Sequence, residues 1–353
     1  MGRPLARMVR ARWSVLVPML VPMLVPMLVP MLVPMLVPSR ASAQTAAPRG
    51  RVQTDTLFAY ALGTRKALTV YLPPSYERST TRYPVLVYLH GLGGNERNWT
   101  VAGRLHETMD SLIAAGAPEA ILVMPDGDDG WYTTAAALPD AAACAADTTR
   151  AEPAASFCVP WPHYDDYVAF DVLQHVDRHY RTQADGRHRG IAGLSMGGYG
   201  AVTLALRFPE LFRAAASHSG VLAPRLLPAA APGGRAGTAG RLPEFRAAAR
   251  SLWPSQRIAF GTDSIAWWAR DPATLATRLV ARAAAGQGPL PSLRLDCGVD
   301  DPWIAHNRAF RDTLRQLGVA HDYVEAPGAH TWSYWRTHAA ESLRFLLTHV
   351  SVP

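Results

Sequence analysis

Arg189-Gly190-Ile191-Ala192-Gly193-Leu194-Ser195-Met196-Gly197-Gly198-Tyr199-Gly200-Ala201 is the stretch on which the reading of this chain turns. Its first half is short and apolar, as a buried strand is. Its second half opens a helical pattern that runs from Gly197 to Phe208. Between them, Gly193-Leu194-Ser195-Met196-Gly197 has the form Gly-x-Ser-x-Gly in the context of strand, sharp turn and helix. The chemistry explains the glycines. A serine that must stand exposed at the C-terminal edge of a sheet sits on a strained turn, and side chains at the flanking positions would collide with the adjacent strand and helix. The helix N-terminus adds a positive dipole and unpaired backbone N–H groups beneath the reacting atoms. Ser195 is therefore the candidate nucleophile.

The rhythm around this stretch is that of an α/β protein. Strand-like runs lie at Leu68–Leu72, Val85–His90, Ala120–Pro125, Arg189–Gly193, Arg213–Ser219, Leu293–Gly298 and Tyr323–Ala326. Helix-like runs lie at Val101–Ala115, Tyr164–Tyr180, Gly197–Phe208, Pro272–Ala285, Trp303–Leu317 and Tyr334–Val350. Short, almost continuously apolar strands separated by helices imply a mainly parallel sheet with helices on both faces. Arg51 to about Leu72 alternates like antiparallel edge strands. Residues 131–163 and 221–270 break the rhythm, and long insertions in such proteins usually overhang the cleft.

A serine hydroxyl is a poor nucleophile unless a base removes its proton and a carboxylate holds that base in the right tautomer. In α/β-hydrolases the chain order is Ser, acid, His. After Ser195, a strand ends in Asp296-Cys297-Gly298-Val299-Asp300-Asp301. Past the next strand comes Gly328-Ala329-His330-Thr331-Trp332. His330 is the candidate base. Asp301 and Asp300 are the candidate acids, and Asp296, inside the strand, reads as structural. His90-Gly91-Leu92-Gly93-Gly94 closes the buried strand-like run Val85–His90. A turn of that form offers one backbone N–H to an oxyanion, and the residue after the nucleophile offers another, so the donors are the amides of Leu92 and Met196. His90 precedes the serine and reads as support for the turn.

These pieces together resemble the esterase D / putative esterase family of α/β-hydrolases, which includes feruloyl esterases, S-formylglutathione hydrolases and mycolyltransferases. The most specific segments are HGLGGNERNW at 90–99, GLSMGGYGA at 193–201, CGVDD at 297–301 and GAHTWSYW at 328–335. The resemblance runs from about Leu68 to Leu347. It implies the α/β-hydrolase fold, with Ser195 as nucleophile, His330 as base and Leu92 and Met196 as oxyanion amides. Its acid falls on the second aspartate of Gly298-Val299-Asp300-Asp301, which is Asp301. The expected activity is hydrolysis of carboxylic esters, small or polysaccharide-linked. Acyl transfer to a sugar or lipid hydroxyl is the enzymatic alternative, and a non-catalytic envelope or carbohydrate-binding protein on the same scaffold is the alternative of another class. The two insertions carry no family motif, so specificity does not transfer.

Aromatic residues near these motifs offer a pocket wall or ordinary core: Trp99, Trp131, Tyr132, Trp267, Trp268, Trp332 and Trp335. Trp99 and Trp332 are favoured as substrate contacts by adjacency to the oxyanion turn and to His330. Asp126, at the end of a strand beside the cleft, is a third candidate contact. Asp171, His175 and His179 recur on one helix, but Val172, Leu173 and Val176 mark its buried face, so the stripe reads as solvated. No metal or cofactor is expected.

The net charge is +7, but residues 1–43 hold five arginines and no acid, leaving +2 for the rest. A nucleic-acid surface is not indicated. From Val15 to Pro38 only Val, Leu, Pro and Met occur, with proline at every fourth position. Such a run is apolar enough for a signal peptide, while its prolines remove a backbone donor at each turn and oppose a stable membrane span. Ala41-Ser42-Ala43 suits signal peptidase, so residues 1–43 are expected to be a leader and 44–353 one exported domain. An uncleaved tether is the alternative. Export implies an oxidising compartment. Cys144 and Cys158, 14 apart in a loop-like stretch, are expected to bridge, with Cys297 left as a buried thiol.

Overall fold

The computed structural model describes residues 48–147, 154–226 and 252–351. The expected leader, and the middle of each insertion, lie outside those residues. The strands are β1 (Arg51–Ala59), β2 (Thr64–Leu72), β3 (Val85–Leu89), β4 (Ile121–Pro125), β5 (Arg189–Leu194), β6 (Ala214–His218), β7 (Ser292–Gly298) and β8 (His321–Ala326). They form one sheet in the order β1-β2-β4-β3-β5-β6-β7-β8. β1 and β2 form an antiparallel hairpin, and β2 joins β4 antiparallel. The other five pairings are parallel.

Parallel strands need crossovers, and the crossover helices cover both faces. The alternation of one strand shows it. Val85, Val87 and Leu89 of β3 join one core, with residues of the helices Leu173–His179, Met196–Arg207, Pro272–Ala284 and Ile304–Gln316. Leu86 and Tyr88 join the other, with the helices Leu105–Ala114 and Trp332–Val350. Every residue of β3, β4, β5 and β6 is buried. This is the α/β-hydrolase arrangement. β3 is flanked by β4 and β5, so the chain winds outward in both directions from it. The loops leaving the C-terminal ends of β3 and β5 therefore diverge and leave a crevice between them.

Two helices differ from their sequence reading. The expected helix Val101–Ala115 is split into Asn98–Val101 and Leu105–Ala114, with Arg104 in the left-handed region at φ 50°. Gly103 in the break lies against Trp99, where an added Cβ would stand 2.6 Å from the Trp99 carbonyl oxygen and 3.1 Å from the Trp332 ring. The helical stretch beginning at Tyr164 passes through a π-helical segment, Tyr167–Val172, before regaining α geometry at Leu173–His179. No helix among the described residues is long and apolar enough to cross a membrane.

Cys144 and Cys158 form a disulfide. Cys297 is buried and free, and burial pushes its thiol pKa up. The disulfide closes a loop that buries little of its own. No residue of its short helices Ala141–Ala145 and Ala154–Phe157 is buried. A bridge over a loop of about 15 residues contributes roughly 3 kcal/mol by restricting the unfolded chain. The double variant Cys144→Ser/Cys158→Ser is expected to lose about that much stability, read as a lower midpoint of urea unfolding. An unchanged midpoint would assign the loop's order to other contacts.

Candidate active site

The turn after β5 holds Ser195 at φ 54° and ψ −115°, a conformation that costs a non-glycine residue free energy. Close packing enforces it. A Cβ on Gly193 would collide with the Gly197 carbonyl and stand 2.9 Å from the Leu89 oxygen. One on Gly197 would collide with the carbonyls of Leu89 and His90. The elbow is thus pressed against the end of β3. Ser195 donates its own N–H to the carbonyl of His218 at 2.9 Å, which ties it to β6 as well. Met196 is the first residue of the helix, so its N–H is among the first-turn donors that lack a partner within the helix.

His330 stands between Ser195 and Asp301. Its Nδ1–H donates to Asp301 Oδ2 at 2.8 Å, and its Nε2 accepts from Ser195 Oγ–H at 3.0 Å. Asp301 is buried, and its other oxygen accepts the Trp303 N–H at 2.8 Å, so both carboxylate oxygens are engaged. The turn bearing Asp301 and the loop bearing His330 are laced together. Val299 N–H donates to Ala326 O and Asp300 N–H to Gly328 O, each at 2.9 Å. Gly298 lacks a Cβ where one would collide with the Gly328 backbone. Asp300 is exposed. Asp296 lies elsewhere, fully buried, with an oxygen 2.9 Å from His218 Nδ1. His218 Nε2 is in turn 2.9 Å from Ser342 Oγ.

A cleft of about 700 Å³ opens over Ser195 and His330. Gly91, Leu92, Gly93 and Gly94 form one side of its lining, and a Cβ on Gly91 would stand 3.5 Å from Ser195 Cβ. Trp131, Trp303, Trp332 and Trp335 contribute aromatic wall. Trp131, Val221 and Leu252 line it from the two insertions, which matches the expectation that those segments reach the cleft.

Two expected substrate contacts lie elsewhere. Trp99 does not line the cleft. It is fully buried, donates Nε1–H to Leu89 O at 2.9 Å, and stacks edge-on behind Trp332 with ring centroids 5.5 Å apart. Asp126 is buried and paired with Lys66 at 2.6 Å, beneath the cleft lining rather than on it. Tyr132 and Trp267 are core, and Trp268 is half exposed under the Arg225 guanidinium. Trp303, absent from the aromatic residues expected near the motifs, lines the cleft. Its signal is adjacency, two positions after Asp301. Trp332 lines the cleft. Of the helix stripe, Asp171 accepts the Ala61 N–H and His175 pairs with Asp55 at 2.8 Å.

Residues 59–346 match the family model described as Putative esterase. The chain belongs to the putative esterase family. It is 28% identical over 287 residues to an esterase of Mycobacterium tuberculosis, covering 77% of this chain and 54% of that protein. It is 22% identical over 261 residues to an acetyl esterase of Caldicellulosiruptor saccharolyticus, covering 74% and 82%. The chain thus spans about half the length of the mycobacterial relative. Among solved structures, a ferulic acid esterase superposes with a TM-score of 0.62 at 25% identity, over 86% of this chain and 99% of that one.

The elbow packing generates a sharp expectation. Gly193→Ala and Gly197→Ala each force a methyl into backbone that cannot yield, so each is expected to destabilise the fold by at least about 1–3 kcal/mol. Gly116→Ala has open space at its Cβ and only a positive φ to oppose it, so it is the milder control, at roughly 1–2 kcal/mol. Urea unfolding of the three variants checks the ranking. Equal effects would mean the elbow is not tightly packed.

Proposed function

We propose that this protein is an exported serine esterase: a leader of residues 1–43 followed by one catalytic domain, 44–353. The observation that carries the activity is the relay Ser195–His330–Asp301, open to a cleft at its serine end. His330 Nε2 takes the hydroxyl proton as Ser195 Oγ attacks the ester carbonyl. Asp301 holds the imidazole with its proton on Nδ1 and stabilises the imidazolium that forms. The amides of Leu92 and Met196 receive the tetrahedral oxyanion. His330 then protonates the departing alcohol, and the same base activates the water that cleaves the acyl-enzyme.

The substrate we infer is a carboxylic ester, small or polysaccharide-linked, whose acyl group lies against the tryptophan wall. Four indoles with Leu252 and Val221 suit a flat or apolar acyl chain better than a charged one. The names of the relatives, an esterase, an acetyl esterase and a ferulic acid esterase, are compatible with that class.

Ser195→Ala is expected to lower kcat for p-nitrophenyl and feruloyl esters by up to roughly 10⁶, with folding retained by circular dichroism. Asp301→Asn is expected to cost about 10⁴ through the wrong histidine tautomer, and exposed Asp300→Asn little. If Asp300→Asn is the more damaging, the acid has been misassigned. A Ser195→Ala variant keeping a tenth of the wild-type rate ends the serine mechanism.

Export is tested separately. Intact mass of the protein recovered outside the cytoplasm is expected to begin at Gln44. It should show one alkylated cysteine without reductant and three with it. A mass that retains the Met-Leu-Val-Pro repeats contradicts cleavage.

A further inference from the structure

The wall of the cleft takes residues from both insertions, and one hydroxyl outside the cleft ties two of them together. Trp131 comes from the first insertion and Leu252 from the second. Ser255, in the helix Trp253–Phe260, is not part of the cleft lining and faces a second cavity of about 390 Å³. Its Oγ–H donates to Leu252 O at 3.0 Å, which leaves the oxygen lone pairs for a donor. That donor is the Trp131 indole, whose Nε1–H reaches Ser255 Oγ at 3.0 Å.

Trp131 sits on backbone that has to be held. It lies at φ 54°, with Asp128 and Tyr132 of the same loop at 46° and 49°, three of the six left-handed non-glycine residues among those described. Bulky residues keep such a conformation only where surrounding contacts outweigh the strain. The start of the loop is anchored by Lys66, the one lysine of a chain that otherwise uses arginine. Its buried Nζ donates to Asp126 at 2.6 Å, to Asp128 at 2.8 Å and to the Ser156 carbonyl at 2.9 Å. Beyond Trp131 the backbone is fastened to the second insertion. Ala136 and Ala137 donate their N–H groups to Ile258 O at 2.9 and 3.1 Å, and the Arg270 guanidinium donates to Thr134 O at 2.9 Å.

Those bonds fix where the insertions meet. The bond to Ser255 fixes the ring. The indole is buried and packs edge-on against Tyr199 and Phe260, with ring centroids 5.8 and 5.2 Å apart. Packing fills the space around an indole, while a hydrogen bond at its single N–H sets the direction in which its plane lies. Direction matters for what such a wall can select. Burying an apolar group depends on area, and area is indifferent to ring orientation. Stacking a planar group depends on ring planes, because aromatic pairs favour offset or edge-on arrangements. A wall whose indole loses its tether keeps its area and loses its discrimination for flat groups.

We propose that Ser255 is a positioning residue for acyl specificity: by fixing the Trp131 indole, it makes the cleft prefer a flat acyl group to a small one. The proposal rests on the serine esterase reading above, with the acyl group against the tryptophan wall. It gives Ser255 no contact with substrate.

The quantity that tests it is the ratio of kcat/KM for p-nitrophenyl cinnamate to that for p-nitrophenyl acetate. The two esters share a leaving group and differ in the acyl group. A variant that only folds less well loses active enzyme for both, and the ratio does not move. One group more or less in an apolar pocket changes discrimination by about 10- to 200-fold, and losing one tether belongs at the low end, so Ser255→Ala is expected to lower the ratio roughly tenfold. Ser255→Thr keeps the hydroxyl, and its extra methyl has the second cavity beside it. Its ratio should stay within about threefold of wild type. Trp131→Phe removes the indole N–H and is expected to lower the ratio on its own. In that background Ser255→Ala should change the ratio by less than about twofold, because the partner it acts through is already gone. An unchanged ratio in Ser255→Ala, a Thr variant as impaired as the Ala variant, or a full Ser255→Ala effect in the Trp131→Phe background would each overturn the proposal. So would a wild-type enzyme that cleaves the acetate and not the cinnamate. Ser195→Ala assayed alongside keeps the failures apart. If Ser195→Ala is inactive and Ser255→Ala keeps the wild-type ratio, only the positioning role is lost. If Ser195→Ala is active, the esterase mechanism itself is wrong.

Discussion

The structure depends on how closely the turn after β5 approaches the end of β3. Ser195 occupies a strained left-handed backbone, and Gly193 and Gly197 have no room for a Cβ because the carbonyls of Leu89, His90 and Gly197 stand there. That contact brings a nucleophile candidate and a glycine-rich turn to one crevice, where β3 is flanked by strands that the chain reaches in opposite directions. Two fully buried neighbouring strands make the approach rigid. The strain at Ser195 is tolerated because its N–H is bonded to His218 O and its helix is packed on both sides.

Around this centre the described residues include two Ser/His/Asp constellations with similar spacings, and their surroundings differ. Ser195–His330–Asp301 has its serine and histidine lining a cleft and only its carboxylate sealed. Ser342–His218–Asp296 is entirely buried, with Tyr88 O–H 3.1 Å from the Ser342 oxygen and no surface for an ester to reach. Its place in the fold is under the first. His218 supplies the carbonyl that holds Ser195, while its ring is fixed by Asp296 and Ser342. Hydrogen-bond geometry alone does not make a reactive group. Access, and a site for developing charge, decide it.

The strands and the site were legible in the chain to different depths. The strands were readable because each is a short apolar run between turn residues, and a buried parallel strand has no other simple sequence form. Ser195 was readable because steric need wrote two glycines beside it. His330 followed from chain order. The choice between Asp300 and Asp301 was not open to local pattern, since the two are adjacent in one acidic turn. The backbone bonds from Val299 and Asp300 to the His330 loop orient that segment so that Asp301 turns inward and Asp300 outward.

By itself, then, the sequence determined the α/β alternation, the elbow, the glycine turn and the order of the three candidate groups, because each is a local pattern with a local steric cause. Tertiary structure decided what depends on residues far apart in the chain. It placed Trp99 behind Trp332 instead of in the cleft, and brought Trp303 to the wall. It buried Asp126 against Lys66, 60 positions away in sequence, and set Asp129 on Gly93. A single lysine among arginines carries no pattern that a sequence window detects. Its meaning lies in three acceptors contributed by two separate loops, and only folding brings those together.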